Sequence, residues 1–157
     1  MLENASETAR APWDLLELEV TETCLMEDDP QLIDEFDRLR ARGVAIAIDD
    51  FGNGYSNLAR LRYLPIDRLK IDRSLIADIA TSGEAATISH TIIALAHGLG
   101  YTVVAEGVEN VLQTEVLRVM GADMLQGYLI ARPMPAADFL GWMRQFLAEN
   151  INPAIRI

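Results

Sequence analysis

Cysteine is nearly absent from the sequence, which contains only Cys24. No disulfide can therefore form within the chain. A chain with so little cysteine is typical of a reducing compartment, where a lone cysteine most often serves as a small buried apolar side chain. We therefore expect a cytoplasmic protein in which Cys24 is buried.

Basic residues are also scarce. The chain has 13 Lys and Arg against 24 Asp and Glu, a formal net charge of −11. Proteins that bind nucleic acids usually spread Lys and Arg over one face, so we expect no DNA or RNA partner. A phosphate-bearing ligand would need a local cation at its site.

Long apolar runs are missing as well. A membrane-spanning helix needs about 20 consecutive apolar residues, and no run in this sequence approaches that length. The first residues, MLENASETARAPWDLLELEV, do not place an apolar segment after a basic one, as a secretory signal would. We expect no membrane contact by this segment.

The sequence does contain short apolar runs, each followed by a stretch with helical spacing. This alternation is typical of a parallel α/β sheet. The runs are Leu15 to Val20, Val44 to Ile48, Arg68 to Ile71, Thr102 to Ala105 and Met124 to Leu129. We divide the chain into a poorly ordered N-terminal segment (1–14), one α/β domain (15–149) and a tail (150–157).

The stretches between these runs predict helices. Apolar spacing and glycine stops predict them over 31–42, before Gly43, over 85–99 and over 111–120, before Gly121. A short helix is expected before Pro65, and another helix over 135–148. The expected apolar stripes are Leu32, Ile33, Phe36 and Leu39 in the first of these helices, Ile88, Ile92, Leu95 and Leu99 in the second, and Phe139, Met143, Phe146 and Leu147 in the last.

Each apolar run also ends in polar residues. In (β/α) barrels the carboxyl ends of the strands meet at one mouth, where the active site lies. Such a barrel has about eight strands and about 250 residues, so the chain is predicted to form about five of the eight β/α units of a TIM-type barrel. The strand ends are Glu19 to Glu22, Asp49-Asp50, Lys70 to Asp72, Glu106 to Glu109 and Gln126 to Tyr128.

Acidic side chains dominate these ends. Two carboxylates about 4 Å apart repel by about 4 kcal/mol at an effective dielectric constant of 20, so a cluster of Glu19, Asp49, Asp50 and Glu106 predicts bound cations. Mg²⁺ and Mn²⁺ prefer oxygen ligands, and two such ions favour phosphoryl displacement. Lys70 would supply a positive group beside them. Taken alone, Asp49-Asp50 is equally a turn signal and Lys70 a surface lysine.

Five stretches of the sequence occur together in one known family. They are ELEVTET, AIAIDDFGNGYSNL, LPIDRLKIDRSLI, VVAEGVEN and LQGYLIARPMP. With them, the chain from Leu16 to about Phe139 resembles the EAL-domain cyclic di-GMP phosphodiesterases. The resemblance implies a modified TIM barrel that carries two Mg²⁺ or Mn²⁺ ions and hydrolyses cyclic di-GMP to linear pGpG.

The resemblance also implies roles for individual residues. The metal ligands would be Glu19, Asp49, Asp50 and Glu106, with Asp49 bridging the two ions. Lys70 would orient the attacking water, and Glu22 would steady the loop over the metals. Glu109 would count with Lys70 and Glu22 among the catalytic residues, matching the family's supporting polar groups. Asp72, Gln126 and Gly127 would bind the substrate or support the site.

The Glu-Ala-Leu signature that names this family does not occur in the sequence, nor does the Asn of its next strand. Both supply ligands to the first metal in the family. We therefore expect a truncated domain that is impaired in isolation. Its open sheet edges would favour a homodimer or association with the missing part of the barrel.

Two other functions fit the residues less well. One is a non-catalytic module that binds cyclic di-GMP or docks to other proteins. The other is a barrel enzyme that uses Lys70 as a Schiff base, such as an aldolase.

Overall fold

A parallel sheet forms the centre of the computed structural model, which describes residues 12–25, 30–52 and 58–149. Each strand pairs in parallel with the next along the chain, so the spatial order follows the sequence. This confirms the predicted α/β class. The strands in these ranges are β1 (Glu17–Thr21), β2 (Ala45–Phe51), β3 (Arg68–Ile71), β4 (Thr102–Ala105) and β5 (Met124–Leu125).

Helices follow each strand. A short 3-10 turn, Trp13–Leu15, precedes β1. None of the described helices is long and apolar enough to cross a membrane. The α-helices are α1 (Glu22–Leu25), α2 (Pro30–Ala41), α3 (Leu58–Leu61), α4 (Arg73–Ala77), α5 (Gly83–Gly98), α6 (Val111–Met120) and α7 (Ala136–Glu149).

Two helices end where the sequence predicts. Gly43, just beyond α2, has a φ of 98°, and Gly121, which caps α6, has a φ of 90°. Left-handed backbone of this kind favours glycine because a Cβ would crowd the neighbouring carbonyl. The predicted burial of Cys24 is wrong, since its side chain is exposed in the short helix α1.

The last strand is shorter than predicted. The expected strand ran from Met124 to Leu129, but pairing with β4 stops at Leu125. The chain then turns, because the N–H groups of Ile130 and Ala131 both donate to the carbonyl of Gly127.

The buried face of α5 also differs from the prediction. Ile88 is 40% exposed, whereas Ser89, Ile92, Ile93 and Ala96 are buried. Ser89 can be buried because its hydroxyl donates a hydrogen bond to the carbonyl of Leu75. The buried face of α5 is therefore centred on Ser89, Ile92 and Ala96 and does not include Ile88. Leu75 belongs to α4, a helix that was not predicted from the sequence.

Helix α7 was predicted, but its apolar residues lie at the surface. No residue of α7 is buried. Instead the Trp142 ring packs against Phe139 and Phe146, with centroid distances of 5.7 and 5.0 Å. Residues 1–11 and 150–157 lie outside the described residues, so the proposed domain boundaries stay predictions.

One face of the sheet carries apolar side chains and the other carries charged ones. Side chains alternate along a strand, and paired residues of parallel strands share a face. The core lies on the face of Ile46, Ile48, Leu69, Ile71 and Val103, which packs against the helices. The register places charged residues on the opposite face, namely Glu17, Glu19, Arg68 and Lys70.

Candidate active site

Carboxylates from separate strand ends meet at one ammonium group, at the carboxyl edge of the sheet. The Nζ atom of Lys70 lies 2.6 Å from Oε1 of Glu19, 2.9 Å from Oδ1 of Asp49 and 2.7 Å from Oε1 of Glu106. The lysine side chain is 5% exposed, whereas that of Glu19 is 47% exposed. The predicted co-location of these four residues is therefore present in the structure.

These contacts keep Lys70 charged. Burial alone would lower the pKa of its ammonium group. The hydrogen bonds to Glu106, Glu19 and Asp49 outweigh burial and raise the pKa well above its ordinary value. Lys70 is therefore a permanent cation and hydrogen-bond donor at neutral pH.

Asp50 joins this cluster through an irregularity in β2. Neighbouring side chains of a regular strand point to opposite faces, so Asp49 and Asp50 would normally diverge. The pairing register shifts between Ile48 and Phe51, and Asp50 has a φ of 55°. One oxygen each of Asp49, Asp50 and Glu106 consequently lie within 4.8 Å of one another. A bulge that redirects a side chain in this way is common beside active sites.

The cluster fits a hard divalent cation. Its donors are all carboxylate oxygens, the ligands that Mg²⁺, Mn²⁺ and Ca²⁺ prefer. Glu19, Asp49 and Glu106 each bond to Lys70 through one oxygen, so the second oxygen is not used by that contact. The carboxylates also outnumber the single ammonium group.

The pKa shifts of two carboxyl groups in the cluster also favour a bound cation. Desolvation raises the pKa of Asp50, and the adjacent carboxylates of Asp49 and Asp72 raise it further. Desolvation also raises the pKa of Glu106 despite the hydrogen bond from Lys70. An excess of negative charge remains, which a metal ion would relieve.

The other predicted site residues are not part of this cluster. Asp72 contacts Asp50 and accepts a hydrogen bond from the backbone N–H of Ser74 at 2.8 Å, which caps α4. Glu22 is buried as the first residue of α1. The side chains of Glu109 and Gln126 are exposed. The cluster itself therefore consists of Glu19, Asp49, Asp50, Lys70 and Glu106, with Asp72 touching it.

Gly127 permits a close approach of two backbone segments. A Cβ atom at this position would lie 2.1 Å from the carbonyl oxygen of Val108 and 2.3 Å from its nitrogen. The N–H of Val108 donates to the carbonyl of Gln126, and the N–H of Leu129 donates to the carbonyl of Val108. The segment after β5 is thereby fixed against the segment that follows Glu106.

One buried polar residue near the site, Gln113, was not predicted from the sequence. Gln113 is 3% exposed, and its side chain reaches both the turn after β4 and the end of α4. The available signal was Asn110-x-x-Gln113, a capping-box pattern ahead of an apolar helix.

Comparison with known proteins identifies the family. The model of the EAL domain family matches residues 1–133 of the chain. The chain belongs to the EAL domain family. Among the curated relatives of this EAL domain is the cyclic di-GMP phosphodiesterase NbdA of Pseudomonas aeruginosa, 48% identical over 138 residues. That match covers 88% of the chain but 18% of NbdA, so the chain spans less than a fifth of this relative.

Solved structures of EAL proteins share the fold. The PaMucR phosphodiesterase in complex with c-di-GMP matches with a TM-score of 0.82 and 43% identity, over 88% of this chain and 56% of that one. Klebsiella pneumoniae BlrP1 with manganese and cyclic di-GMP matches with a TM-score of 0.76 and 37% identity, over 84% of this chain and 34% of that one. The predicted partial TIM-type barrel is thus confirmed.

Proposed function

We propose that the chain is part of a metal-dependent phosphodiesterase that hydrolyses cyclic di-GMP to linear pGpG. The supporting observation is the convergence of Glu19, Asp49 and Glu106, from three different strand ends, on Lys70. In a site of this kind the carboxylates can bind divalent ions, and the adjacent ammonium group of Lys70 can donate a hydrogen bond. Both are useful for phosphodiester hydrolysis.

The carboxylates are the proposed metal ligands. Asp49, Asp50 and Glu106 would hold Mg²⁺ or Mn²⁺, and Glu19 would share the binding of a second ion. When bound, such ions polarise the phosphoryl group and make a water molecule more acidic. The bulge at Asp50 supports this assignment, because it turns an otherwise divergent carboxylate toward its neighbours.

Lys70 is proposed to hold the attacking water by donating a hydrogen bond to its oxygen. Its raised pKa supports this role, since a cation cannot act as the base. The same observation argues against a Schiff-base enzyme, which needs a neutral amine with a lowered pKa.

The remaining predicted residues are proposed to hold the shape of the site. Asp72 caps α4 directly behind Lys70, and Gly127 allows the segment after β5 to pack on Val108. We assign Glu22, Glu109 and Gln126 supporting polar roles on the basis of the family pattern.

Several features of the whole protein stay proposals. We expect cyclic di-GMP as the partner, a cytoplasmic location, and no DNA or RNA binding. We also expect a homodimer or association with another part of the barrel, because β1 and β5 each have one unpaired edge within the described sheet.

A binding measurement followed by an activity assay tests the proposal. Calorimetry with cyclic di-GMP in Ca²⁺ detects the nucleotide whether or not hydrolysis occurs. Hydrolysis in Mg²⁺ or Mn²⁺ is then followed by chromatography of pGpG, for this chain and for the chain extended by whatever is encoded upstream of Met1.

Two matched variants make the assay specific. Glu106→Gln removes a proposed metal ligand, and we expect a loss of activity of more than about 100-fold. Glu115→Gln is the control, because Glu115 pairs with Arg118 on the exposed face of α6. Binding without hydrolysis in the extended chain would favour the non-catalytic module, and absence of binding heat would refute the proposed substrate.

A further inference from the structure

Gln113 uses every hydrogen-bonding group of its side chain. Its Oε1 atom accepts from the backbone N–H of Glu109 at 2.7 Å and of Asn110 at 3.1 Å. Its Nε2 atom donates to the carbonyls of Ile76 at 3.2 Å and Ala77 at 3.1 Å. A primary amide offers two acceptor sites and two N–H groups, so this buried amide is fully satisfied.

Gln113 joins two backbone segments that each follow a residue of the proposed active site, namely Lys70 and Glu106. Ile76 and Ala77 end α4, the helix whose N-cap Asp72 follows Lys70 by two residues. Glu109 ends the turn that begins at Glu106. The Gln113 amide therefore connects the backbone segment that follows Lys70 in the sequence to the segment that follows Glu106.

A second contact between the same segments lies at the other end of α4. Gly107 has a φ of 68°, and a Cβ atom there would lie 2.3 Å from the Cβ of Arg73, the first residue of α4. The turn after β4 thus touches α4 at its start through Gly107 and at its end through Gln113. Contact at both ends restricts how the turn can rotate relative to the helix.

From this geometry we infer that Gln113 is a positioning residue for Glu106, in addition to capping α6. This inference rests on the proposed function of the Glu106 cluster. A capping box needs only the Oε1 acceptor and the side chain of Asn110, which accepts from the Gln113 N–H at 3.0 Å. The Nε2 bonds to α4 are not part of a cap, and they are what fixes the turn.

Two variants of the full chain separate these roles. Gln113→Glu keeps an acceptor for the N–H groups of Glu109 and Asn110 but removes the donors to α4. Asn110→Ala removes the cap and leaves the donors intact. The affinity for Mn²⁺ is measured by calorimetry without nucleotide, so that the result does not depend on cyclic di-GMP being the substrate.

We expect Gln113→Glu to weaken Mn²⁺ binding about tenfold, the lower end of the effect of groups that orient metal ligands. Asn110→Ala should weaken it less than about threefold, because α6 only frays at its first turn. Equal effects of the two variants, or none from Gln113→Glu, would overturn the inference.

Hydrogen exchange of the unmodified chain tests, without a variant, a condition of the inference, namely that the Gln113 side chain holds the turn at Glu109 and Asn110. Glu109 and Asn110 are exposed residues, so their amide protons would exchange rapidly without the bonds to Gln113. We expect protection of both amides that matches the interior of α6. Exchange at the rate of an open turn would show that the amide does not hold the turn, even if Gln113→Glu fails to fold.

Discussion

Replacement of Gly127 by alanine tests the close approach of the segment after β5 to the segment that follows Glu106. The added methyl group would lie 2.1 Å from the carbonyl oxygen of Val108 and 2.3 Å from its nitrogen. Both are backbone atoms, so no side-chain rotation can relieve the overlap, and the two segments must separate. Overpacking typically costs about 1 to 3 kcal/mol, and each weakened backbone hydrogen bond adds about 1 kcal/mol. Separation affects the bond from Val108 to Gln126 and that from Leu129 to Val108.

We therefore expect Gly127→Ala to lower the free energy of unfolding by about 2 to 4 kcal/mol. Urea titration followed by circular dichroism measures this, with the wild-type slope retained if the denatured state is unchanged. Gly98→Ala is the matched control. A Cβ atom at Gly98 meets nothing within 4 Å, and the residue lies in the last turn of α5. This control should gain about 0.5 kcal/mol from helix propensity. A loss at Gly127 smaller than about 0.5 kcal/mol, typical of a surface substitution, would refute the reasoning.

Two further predictions concern charged groups. Lys70→Met removes the shared cation, and in EDTA we expect a loss of about 2 kcal/mol, less than for a fully buried pair because Glu19 is half exposed. Added Mn²⁺ should raise the melting temperature of this variant more than that of the wild type, and equal stability of the two chains in EDTA would contradict the prediction. Burial acts to raise the pKa of Asp123, but hydrogen bonds from Val103 and His97 outweigh it and lower the pKa. Its stabilising effect is therefore complete above its unfolded pKa of about 3.9 and is lost as the pH falls through the lower folded value. Unfolding titrations should thus show Asp123→Asn as less stable than the wild type at about pH 6, with the difference shrinking as the pH falls below about 3.9 through the folded value, whereas a difference that does not shrink in acid would argue against the charged contact.

The membership of the cluster could be predicted from the sequence for a topological reason. Parallel strands joined by helices place their carboxyl ends at one edge, so polar residues that follow successive apolar runs must lie near one another. Glu19, Asp49, Lys70 and Glu106 satisfy this condition, and the structure places them in contact. The glycine stops at Gly43 and Gly121 were predictable because positive φ angles favour glycine.

Features that depend on local irregularity could not be predicted. An alternating strand would separate Asp49 from Asp50, and the sequence does not show that β2 carries a register shift there. The buried face of α5 depends on a hydroxyl bond from Ser89 to α4, a helix that periodicity alone did not reveal. The capping role of Gln113 was visible as a pattern, whereas its bonds to Ile76 and Ala77 depend on the packing of α4 against α6.

The charged face of the sheet explains why the proposed metal site lies at the strand ends and not one layer lower. Glu17 and Arg68 form an ion pair one layer below Glu19 and Lys70 on the same face. That lower layer pairs one carboxylate with one guanidinium, so it has no need of a further cation. In the upper layer, Lys70 faces Glu19, Asp49 and Glu106 together, and the bulge adds Asp50. Because one ammonium group cannot neutralise these carboxylates, the excess negative charge on this face lies at the carboxyl edge, where we propose that a divalent ion binds.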